Sequence, residues 1–254
     1  MNTFSDNINR FNDRADNYDR FRPGYPQQLL QYIYEHNKLE AHHIVVEMGA
    51  GTGILSQELI KWPGKLIAIE PNDEMREKAI NSLGHAEHCS VLGSTAENTG
   101  LADNSVDLII CAQSFHWFDA EKCKIEFKRI LKYRKKAAII WNIRSAETAF
   151  ERAYEEFILE FSIDYEEVKK REQRGNNLHF FFYQGVFEER TFIYDTYLTF
   201  EQLLGRTLSY SYMPNYGHQQ LPNMVDALKV LFDKYSTNNI IGLSYKTRLF
   251  MGEL

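Results

Sequence analysis

Five short apolar runs alternate with helical patterns between residues 43 and 143, and this alternation constrains the fold more than any other feature of the chain. Near-continuous apolar strands separated by helices are typical of a parallel sheet that is covered on both faces. The pattern therefore predicts a doubly wound α/β core. The five predicted strands are His43–Met48, Lys65–Glu70, His88–Leu92, Val106–Cys111 and Ala137–Ile143.

The segments outside this core predict covers over it. Apolar side chains at helical spacing between residues 4 and 18 predict an N-terminal helix, and Pro26 begins a second one. Between residues 179 and 216, 12 of 38 positions are Phe or Tyr, which favours a packed accessory layer or the wall of an apolar pocket. We predict a single domain over residues 1–254. Its parts are an N-terminal helical cover (1–37), a ligand-binding core (38–144), an inserted cover (145–222), and a C-terminal helix with the last strand (223–254).

Charge and cysteine content narrow the kinds of partner. The chain has 29 Lys and Arg against 35 Asp and Glu, and its net charge of −6 gives no global reason to bind nucleic acid. We interpret the basic run Glu121–Lys136 as one solvated helix face before the fifth strand. Three cysteines outside any metal-ligand spacing predict neither a disulfide framework nor a metal site. Because the longest apolar stretches have five residues and the start is polar, we expect a cytoplasmic protein without membrane segments.

A glycine-rich turn, VVEMGAGTG at residues 45–53, follows the first predicted strand. Gly49, Gly51 and Gly53 alternate, and glycines there let the backbone approach a ligand where a Cβ would intrude. A dinucleotide-binding turn needs a small residue in the slot that Ile54 occupies. A phosphate-binding loop is excluded as well, because neither Gly-Lys-Ser nor Gly-Lys-Thr follows.

An acidic residue, Glu70, ends the second predicted strand, 23 residues after Glu47. A carboxylate at that strand tip can accept both hydroxyls of a ribose. A lone acid at a strand end is usually only solvated, but together with the glycine turn it favours a nucleoside ligand.

Four motifs run through the predicted core: VVEMGAGTG, AIEPNDEM, GSTAENTGLADNSVDLIICAQSFHWFD and IIWNIR. Together they resemble the class I S-adenosylmethionine (SAM)-dependent methyltransferases. The block AQSFHWFD and the N-terminal RPGYP are similar to one subgroup, the trans-aconitate methyltransferase-like proteins, which methylate small molecules. The resemblance implies a Rossmann-like methyltransferase fold with a mostly parallel seven-stranded sheet. It also implies SAM as cofactor, S-adenosyl-L-homocysteine as product, and a small-molecule methyl acceptor.

The resemblance further implies which residues hold the cofactor. Glu47 and the glycine turn would hold the methionine moiety, Glu70 the ribose hydroxyls, and the loop after the third strand the adenine edge. Many relatives carry Gly-Asp-Ala in that loop, where this chain has Gly-Ser-Thr-Ala at residues 93–96, so the Thr95 hydroxyl or a backbone amide would replace the carboxylate. The implied cofactor-binding residues are Glu47, Gly49, Ala50, Gly51, Gly53, Glu70, Pro71, Asn72, Thr95, Ala96, Glu97 and Gln113.

Methyl transfer is an in-line displacement at a sulfonium carbon, so the protein must orient the reactants and exclude water. His116 is the candidate base for a hydroxyl acceptor, whereas a carboxylate acceptor needs no base and leaves His116 as a positioning group. Arg22 and Arg144 either grip a carboxylate or form ordinary ion pairs. Phe118 either borders the site or packs in the core. The predicted substrate-binding residues are Tyr18, Arg22, Trp117, Arg144 and Tyr212, with Tyr210 and Tyr216 near the same pocket.

Two alternatives to a small-molecule methyltransferase stay open at this point. One is a non-catalytic SAM-binding or protein-interaction module, which an intact glycine turn does not exclude. The other is a nicotinamide-dependent dehydrogenase, which is disfavoured by Ile54 and by the lack of a Tyr-x-x-x-Lys pair near the fifth strand.

Overall fold

The computed structural model describes residues 15–163, residue 165 and residues 178–254. The predicted N-terminal helix over residues 4–18 therefore lies mostly outside the described residues. Residues 15 to 21 do form a helix.

Seven strands form one sheet in the described part of the chain. The strands are β1 (Ile44–Met48), β2 (Lys65–Ile69), β3 (Cys89–Leu92), β4 (Val106–Ala112), β5 (Leu131–Arg144), β6 (Glu188–Leu198) and β7 (Ile241–Glu253). The α-helices are α1 (Ala15–Phe21), α2 (Gln27–Asn37), α3 (Ser56–Leu59), α4 (Asp73–Leu83), α5 (Ala120–Ile130), α6 (Ala149–Phe161), α7 (Phe200–Leu208) and α8 (Leu221–Tyr235).

The strand order is β3-β2-β1-β4-β5-β7-β6. The strands from β3 to β5 run parallel, and β7 is antiparallel to both of its neighbours. Side chains alternate between the two faces of β4, where Ile109 and Cys111 pack beneath α5, while Leu108 and Ile110 pack beneath α2. The predicted doubly wound, mostly parallel sheet of seven strands is confirmed.

The fifth strand is longer than predicted, and the helix before it is shorter. α5 ends at Ile130, so the interpretation of Glu121–Lys136 as one helix face is wrong beyond that residue. Pairing with β4 shifts between Leu131 and Lys136, and the four residues in between bulge outward from the sheet. The bulge exposes Tyr133 and Arg134, while Lys132 and Lys135 pair with the buried Asp107. A basic run with partly exposed side chains fits a bulge as well as a helix face, so the charge pattern does not distinguish the two structures.

A strand also runs through the segment predicted as an inserted cover. β6 lies at the sheet edge and pairs with β7 along its whole length, from Glu188 to Leu198. Because its side chains are only partly buried on one face, its sequence lacks the apolar run that marks the central strands. Among the described residues of the segment, α6 and α7 share one apolar cluster with α8, the helix that follows.

Helix α1 is held against α7, and this contact places Tyr18 near Gly49 and Gln113, at the carboxyl ends of β1 and β4. Gly205 faces the ring of Phe21 so closely that a Cβ there would overlap it. Arg206 Nε donates a hydrogen bond of 2.7 Å to the Phe21 carbonyl, and Arg22 Nη2 donates one of 3.2 Å to the Ser209 carbonyl. No helix in the described part of the chain has the length and apolar character needed to cross a membrane.

Candidate active site

The glycine turn after β1 has the backbone that its sequence predicts. Gly49 and Gly51 have φ values of +68° and +60°, a region that L side chains rarely adopt. A Cβ at Gly49 would lie 2.6 Å from the Cβ of Ser114, so this glycine also lets the ends of β1 and β4 approach. Gly53 has a different role, because a Cβ there would meet α4 at Leu83. It therefore allows helix packing and does not line the cavity described below.

Glu70 lies just beyond β2, with its carboxylate bound on both oxygens. The amide of Gly51 donates to Oε2 and the amide of Asn72 donates to Oε1, both at 2.8 Å. Burial raises the pKa of Glu70, and the two amide hydrogen bonds act in the opposite direction. Asn72 in turn caps α4, because its Oδ1 accepts from the amide of Met75 at 2.9 Å.

A cavity with about 710 Å³ of empty space opens beside the Glu70 carboxylate. The loop after β3 forms one wall, and the short 3₁₀ helix Phe115–Trp117 that follows β4 forms another. Phe118 lines this cavity and also packs edge-to-face on Phe115, so both alternatives for this residue hold. The lining residues that sequence predicted are Gly49, Gly51, Glu70, Pro71, Asn72, Thr95, Ala96, Glu97, Gln113, Tyr18 and Trp117; Met75, Ser114 and Phe118 complete it.

Glu47 and Ala50 lie deeper, in a chamber of about 400 Å³ next to this cavity. Glu47 is buried and accepts a hydrogen bond from the Ser56 hydroxyl. Burial raises its pKa to about 8, although the Ser56 hydrogen bond lowers it, and the nearby Glu70 raises it further. A cationic ligand group in the chamber would favour the ionised form of Glu47.

A second cavity, with about 610 Å³ of empty space, lies on the other side of Trp117; it is called the acceptor-side cavity below. The structure brings the predicted substrate and catalytic residues together in its wall: Tyr18, Arg22, His116, Trp117, Arg144 and Tyr212. Tyr210 lines it as well, whereas Tyr216 is 71% exposed and does not. Prediction missed Asn142 and Tyr245. Both residues lie on predicted strands, which is the only sign of them in the sequence. The sequence does not show that the part of β5 with Asn142 lies beside the part of β7 with Tyr245.

Gln113 lies at the junction of the two cavities and has a φ of +54°. Its amide donates to the Ile140 carbonyl at 2.9 Å, and its Nε2 donates to the Asn142 carbonyl at 3.0 Å. A left-handed backbone at a residue other than Gly or Asn is strained, and such strain is concentrated at functional sites. The residue type gives no sign of this conformation.

The two predicted arginines have different partners. Arg144 forms an ion pair of 2.8 Å with Glu155 and donates to the Tyr212 hydroxyl at 2.8 Å. The guanidinium carbon of Arg22 lies 4.7 Å from the ring centroid of Tyr18 and 4.6 Å from that of Tyr210. No carboxylate among the described residues lies within ion-pair distance of Arg22, so it gives the cavity an uncompensated positive charge.

Residues 46–139 match the model of a family described as a methyltransferase domain. This match and the fold place this region of the chain among the class I SAM-dependent methyltransferases, and the predicted class is confirmed. The chain is 36% identical over 133 residues to an uncharacterized methyltransferase of Schizosaccharomyces pombe, covering 52% of this chain and 51% of that protein. It is 31% identical over 148 residues to an uncharacterized methyltransferase of Mycobacterium bovis, covering 58% of each. The chain thus spans about half the length of the curated relatives it matches.

Solved structures share the fold over a larger part of the chain. A candidate type II methyltransferase from Anaeromyxobacter dehalogenans has a TM-score of 0.69 at 19% identity, covering 92% of this chain and 98% of that one. The phosphoethanolamine N-methyltransferase 2 of Haemonchus contortus, solved in complex with SAM, has a TM-score of 0.53 at 14% identity. That alignment covers 100% of this chain and 61% of the other. At these identities the likeness shows the fold alone.

Among the described residues, no group of three His, Cys, Asp or Glu side chains is arranged to hold a metal ion. Cys89, Cys111 and Cys123 are free thiols. The candidate site consists of the cavity beside Glu70 and the acceptor-side cavity, and Gln113 and Trp117 line both of them.

Proposed function

We propose that the chain binds SAM in the cavity beside Glu70 and transfers its methyl group to a small-molecule acceptor in the acceptor-side cavity. The observation that carries the proposal is that Glu70, Gly49 and Gly51 line one cavity that adjoins a second at Gln113 and Trp117. Gly51 presents its backbone to the first cavity, where a side chain would narrow the space. The second cavity contains Arg22, Arg144 and His116.

The described residues fit this cofactor. Glu70, buried at the end of β2, is suited to accept ribose hydroxyls, and Thr95 with Ala96 would border the adenine. Glu47 lies in the deeper chamber, where it would hold the ammonium group of the methionine moiety. When bound, SAM supplies a methyl group on a positively charged sulfur. Trp117 and Phe118 would face that charge and keep water away from it.

The acceptor we propose is a small molecule with a carboxylate or a hydroxyl group. Arg22 supports this choice, because it brings a positive charge without a carboxylate partner among the described residues. The sequence resemblance to the trans-aconitate methyltransferase-like proteins, which also implies a small-molecule acceptor, stays a prediction. His116 lines the same cavity and stays a candidate base for a hydroxyl acceptor.

Calorimetric titration with SAM, S-adenosylhomocysteine and NAD tests the cofactor. We expect both adenosyl compounds to bind and NAD not to bind. Glu70→Ala should weaken SAM binding about 10- to 100-fold, since hydrogen bonds to a charged group contribute about 1.5–3 kcal/mol. Glu121→Gln, an exposed change on α5, is the matched control. If wild-type protein binds neither adenosyl compound, the proposal fails.

A further inference from the structure

Tyr210 lies where three arginine side chains converge. The guanidinium carbons of Arg22 and Arg144 lie 4.6 Å and 4.9 Å from the centroid of its ring. Arg206 approaches from α7 through Tyr245, because its Nη1 lies 3.3 Å from the Tyr245 hydroxyl, which is 3.4 Å from the Tyr210 hydroxyl. The phenol oxygen of Tyr210 is therefore held in the field of three fixed positive charges.

These positive charges are only partly balanced. Glu155 pairs with Arg144, but no carboxylate of the described residues is within ion-pair distance of Arg22 or Arg206. Arg206 is 6% exposed, so water screens its charge poorly. A buried excess of positive charge is costly unless a negative group comes close to it. Either an anionic ligand or the phenolate of Tyr210 can supply that group.

The surroundings of Tyr210 distinguish it from its tyrosine neighbours. Burial raises the pKa of Tyr210, but the charges of Arg144, Arg22 and Arg206 outweigh burial and leave its pKa below the ordinary value. In the same cluster, burial raises the pKa of Tyr212 to about 12. The titratable and charged groups that face Tyr210 are Tyr18, Arg22, His116, Arg144, Tyr154, Arg206, Tyr212 and Tyr245. Glu155 and Tyr165 contact Arg144.

From this arrangement we infer that Tyr210 is the proton acceptor of the methyl-transfer step, and that the acceptor is a small hydroxy acid methylated on its hydroxyl oxygen. The inference rests on the proposed function, from which it takes the methyl donor and the acceptor-side cavity. Arg22, which lines both the deeper chamber and the acceptor-side cavity, would hold the carboxylate of the acid.

The chemical step balances with the groups named. The Tyr210 phenolate takes the proton from the acceptor hydroxyl, and the freed electron pair on that oxygen forms the new bond to the methyl carbon. The electron pair of the breaking carbon–sulfur bond stays on sulfur, whose positive charge disappears. The products are a methyl ether, S-adenosylhomocysteine and neutral Tyr210, which returns its proton to solvent when the products leave. A carboxylate oxygen needs no such base, so the ether product distinguishes this proposal from ester formation.

Ultraviolet titration of the protein without cofactor tests the acid–base property separately from activity. We expect the difference between wild type and Tyr210→Phe to show one phenolate that forms below the pH range of the remaining tyrosines. Tyr216→Phe, which removes an exposed tyrosine outside the cavity, is the matched control and should leave the low-pH phenolate signal in place. Arg22→Gln keeps Tyr210 and should shift its ionisation to higher pH, which provides a second test if Tyr210→Phe does not fold. If Tyr210 ionises together with or after the other tyrosines, the inference is wrong.

A panel of hydroxy acids, each paired with the acid that lacks the hydroxyl, tests the acceptor class; 4-hydroxybenzoate with benzoate is one pair. We expect ether products from the hydroxylated members only, and a loss of about 10²- to 10⁴-fold in kcat/KM for Tyr210→Phe near neutral pH. In wild type, kcat/KM should rise with pH as Tyr210 ionises, and Tyr210→Phe should lack this low-pH limb. The assignment would be overturned if no hydroxylated member were turned over, or if the non-hydroxylated members were turned over equally well. It would also be overturned if His116→Ala, and not Tyr210→Phe, lost the low-pH limb of the kcat/KM profile.

Cofactor binding separates failure of this inference from failure of the proposed function. Tyr210 does not line the cavity beside Glu70, so Tyr210→Phe should bind SAM with the wild-type affinity in calorimetry. If wild-type protein binds no SAM, the proposed function fails. If it binds SAM but Tyr210 ionises with the other tyrosines, only the inference about Tyr210 fails.

Discussion

The amide nitrogen of Gly51 lies 2.8 Å from a carboxylate oxygen of Glu70, and this hydrogen bond joins the glycine turn after β1 to the end of β2. The two residues are 19 positions apart in the chain, and the parallel pairing of β1 with β2 brings their strand ends to one edge of the sheet. The turn and the acid therefore form one rigid unit. Changes in either should affect the same ligand site.

Two alanine substitutions in the turn should have different effects on stability. Gly49→Ala combines an unfavourable φ with a 2.6 Å approach to the Ser114 Cβ, and we expect a loss of about 2–4 kcal/mol. Gly51→Ala has the unfavourable φ, but its nearest contact is the end of Met75 at 3.4 Å, so we expect a loss of about 1 kcal/mol. Urea unfolding measures both. The Gly49→Ala/Ser114→Gly double variant should recover part of the larger loss, and no recovery would contradict the steric explanation.

Glu47→Gln should change how stability depends on pH. The pKa of Glu47 is about 8 in the folded chain against an ordinary value of 4.5, so between these pH values folding takes up a proton. The free energy of unfolding then falls as pH rises through this window, by up to about 4 kcal/mol from this group. The variant should lack that slope and be more stable than wild type at pH 8, while binding SAM more weakly. Exposed Glu87→Gln should follow wild type, and parallel pH profiles for Glu47→Gln and wild type would disprove the assignment.

Removing the partner of Arg144 should cost stability and improve binding of an anion. Arg144 is 13% exposed, and Glu155→Gln would leave its guanidinium without a carboxylate within ion-pair distance among the described residues. We expect a loss of about 1–3 kcal/mol in unfolding free energy, because a mostly buried charge becomes unpaired. The KM for a carboxylate acceptor should fall at the same time, since the cavity gains positive charge. A KM that rises along with the loss of stability would instead show that Glu155 acts by holding the cavity in shape.

Gly205→Ala should loosen the N-terminal cover. Alanine in place of glycine ordinarily stabilises a helix interior by about 0.5–1 kcal/mol. At this position a Cβ would overlap the Phe21 ring, so we expect stability to fall and α1 to become sensitive to limited proteolysis. Because Tyr18 on α1 lines both cavities, affinity for SAM should fall too. Gly242→Ala on β7, where a Cβ would make only an ordinary contact at 3.8 Å, is the control; it should lower neither stability nor SAM affinity, and it should leave α1 resistant to proteolysis.

The parts of the site that sequence predicted are those held by local backbone chemistry. The turn at 49–53 needs glycine because of its φ values, and Glu70 directly follows an apolar strand, so both can be recognised without knowing the rest of the fold. The bulge at Lys132–Lys135 and the edge strand β6 could not be recognised in the same way. Polar and basic residues are compatible with an exposed helix, a bulge or an edge strand, because none of these structures buries the side chains.

The sequence by itself determined the parallel α/β core and the glycine turn with Glu70, because periodic burial and glycine backbone geometry are local properties. The class of protein, and the other predicted residues of the cavity beside Glu70, followed from the resemblance of its motifs to a known family. Only the tertiary structure decided how the acceptor-side cavity is built. Arg22 after α1 and Arg144 on β5 line it and lie against the ring of Tyr210, and Arg206 on α7 reaches the same group through Tyr245. These three residues are far apart in the chain. The strain at Gln113 and the excess positive charge at Tyr210 arise from packing between these elements, and no spacing within the sequence encodes them.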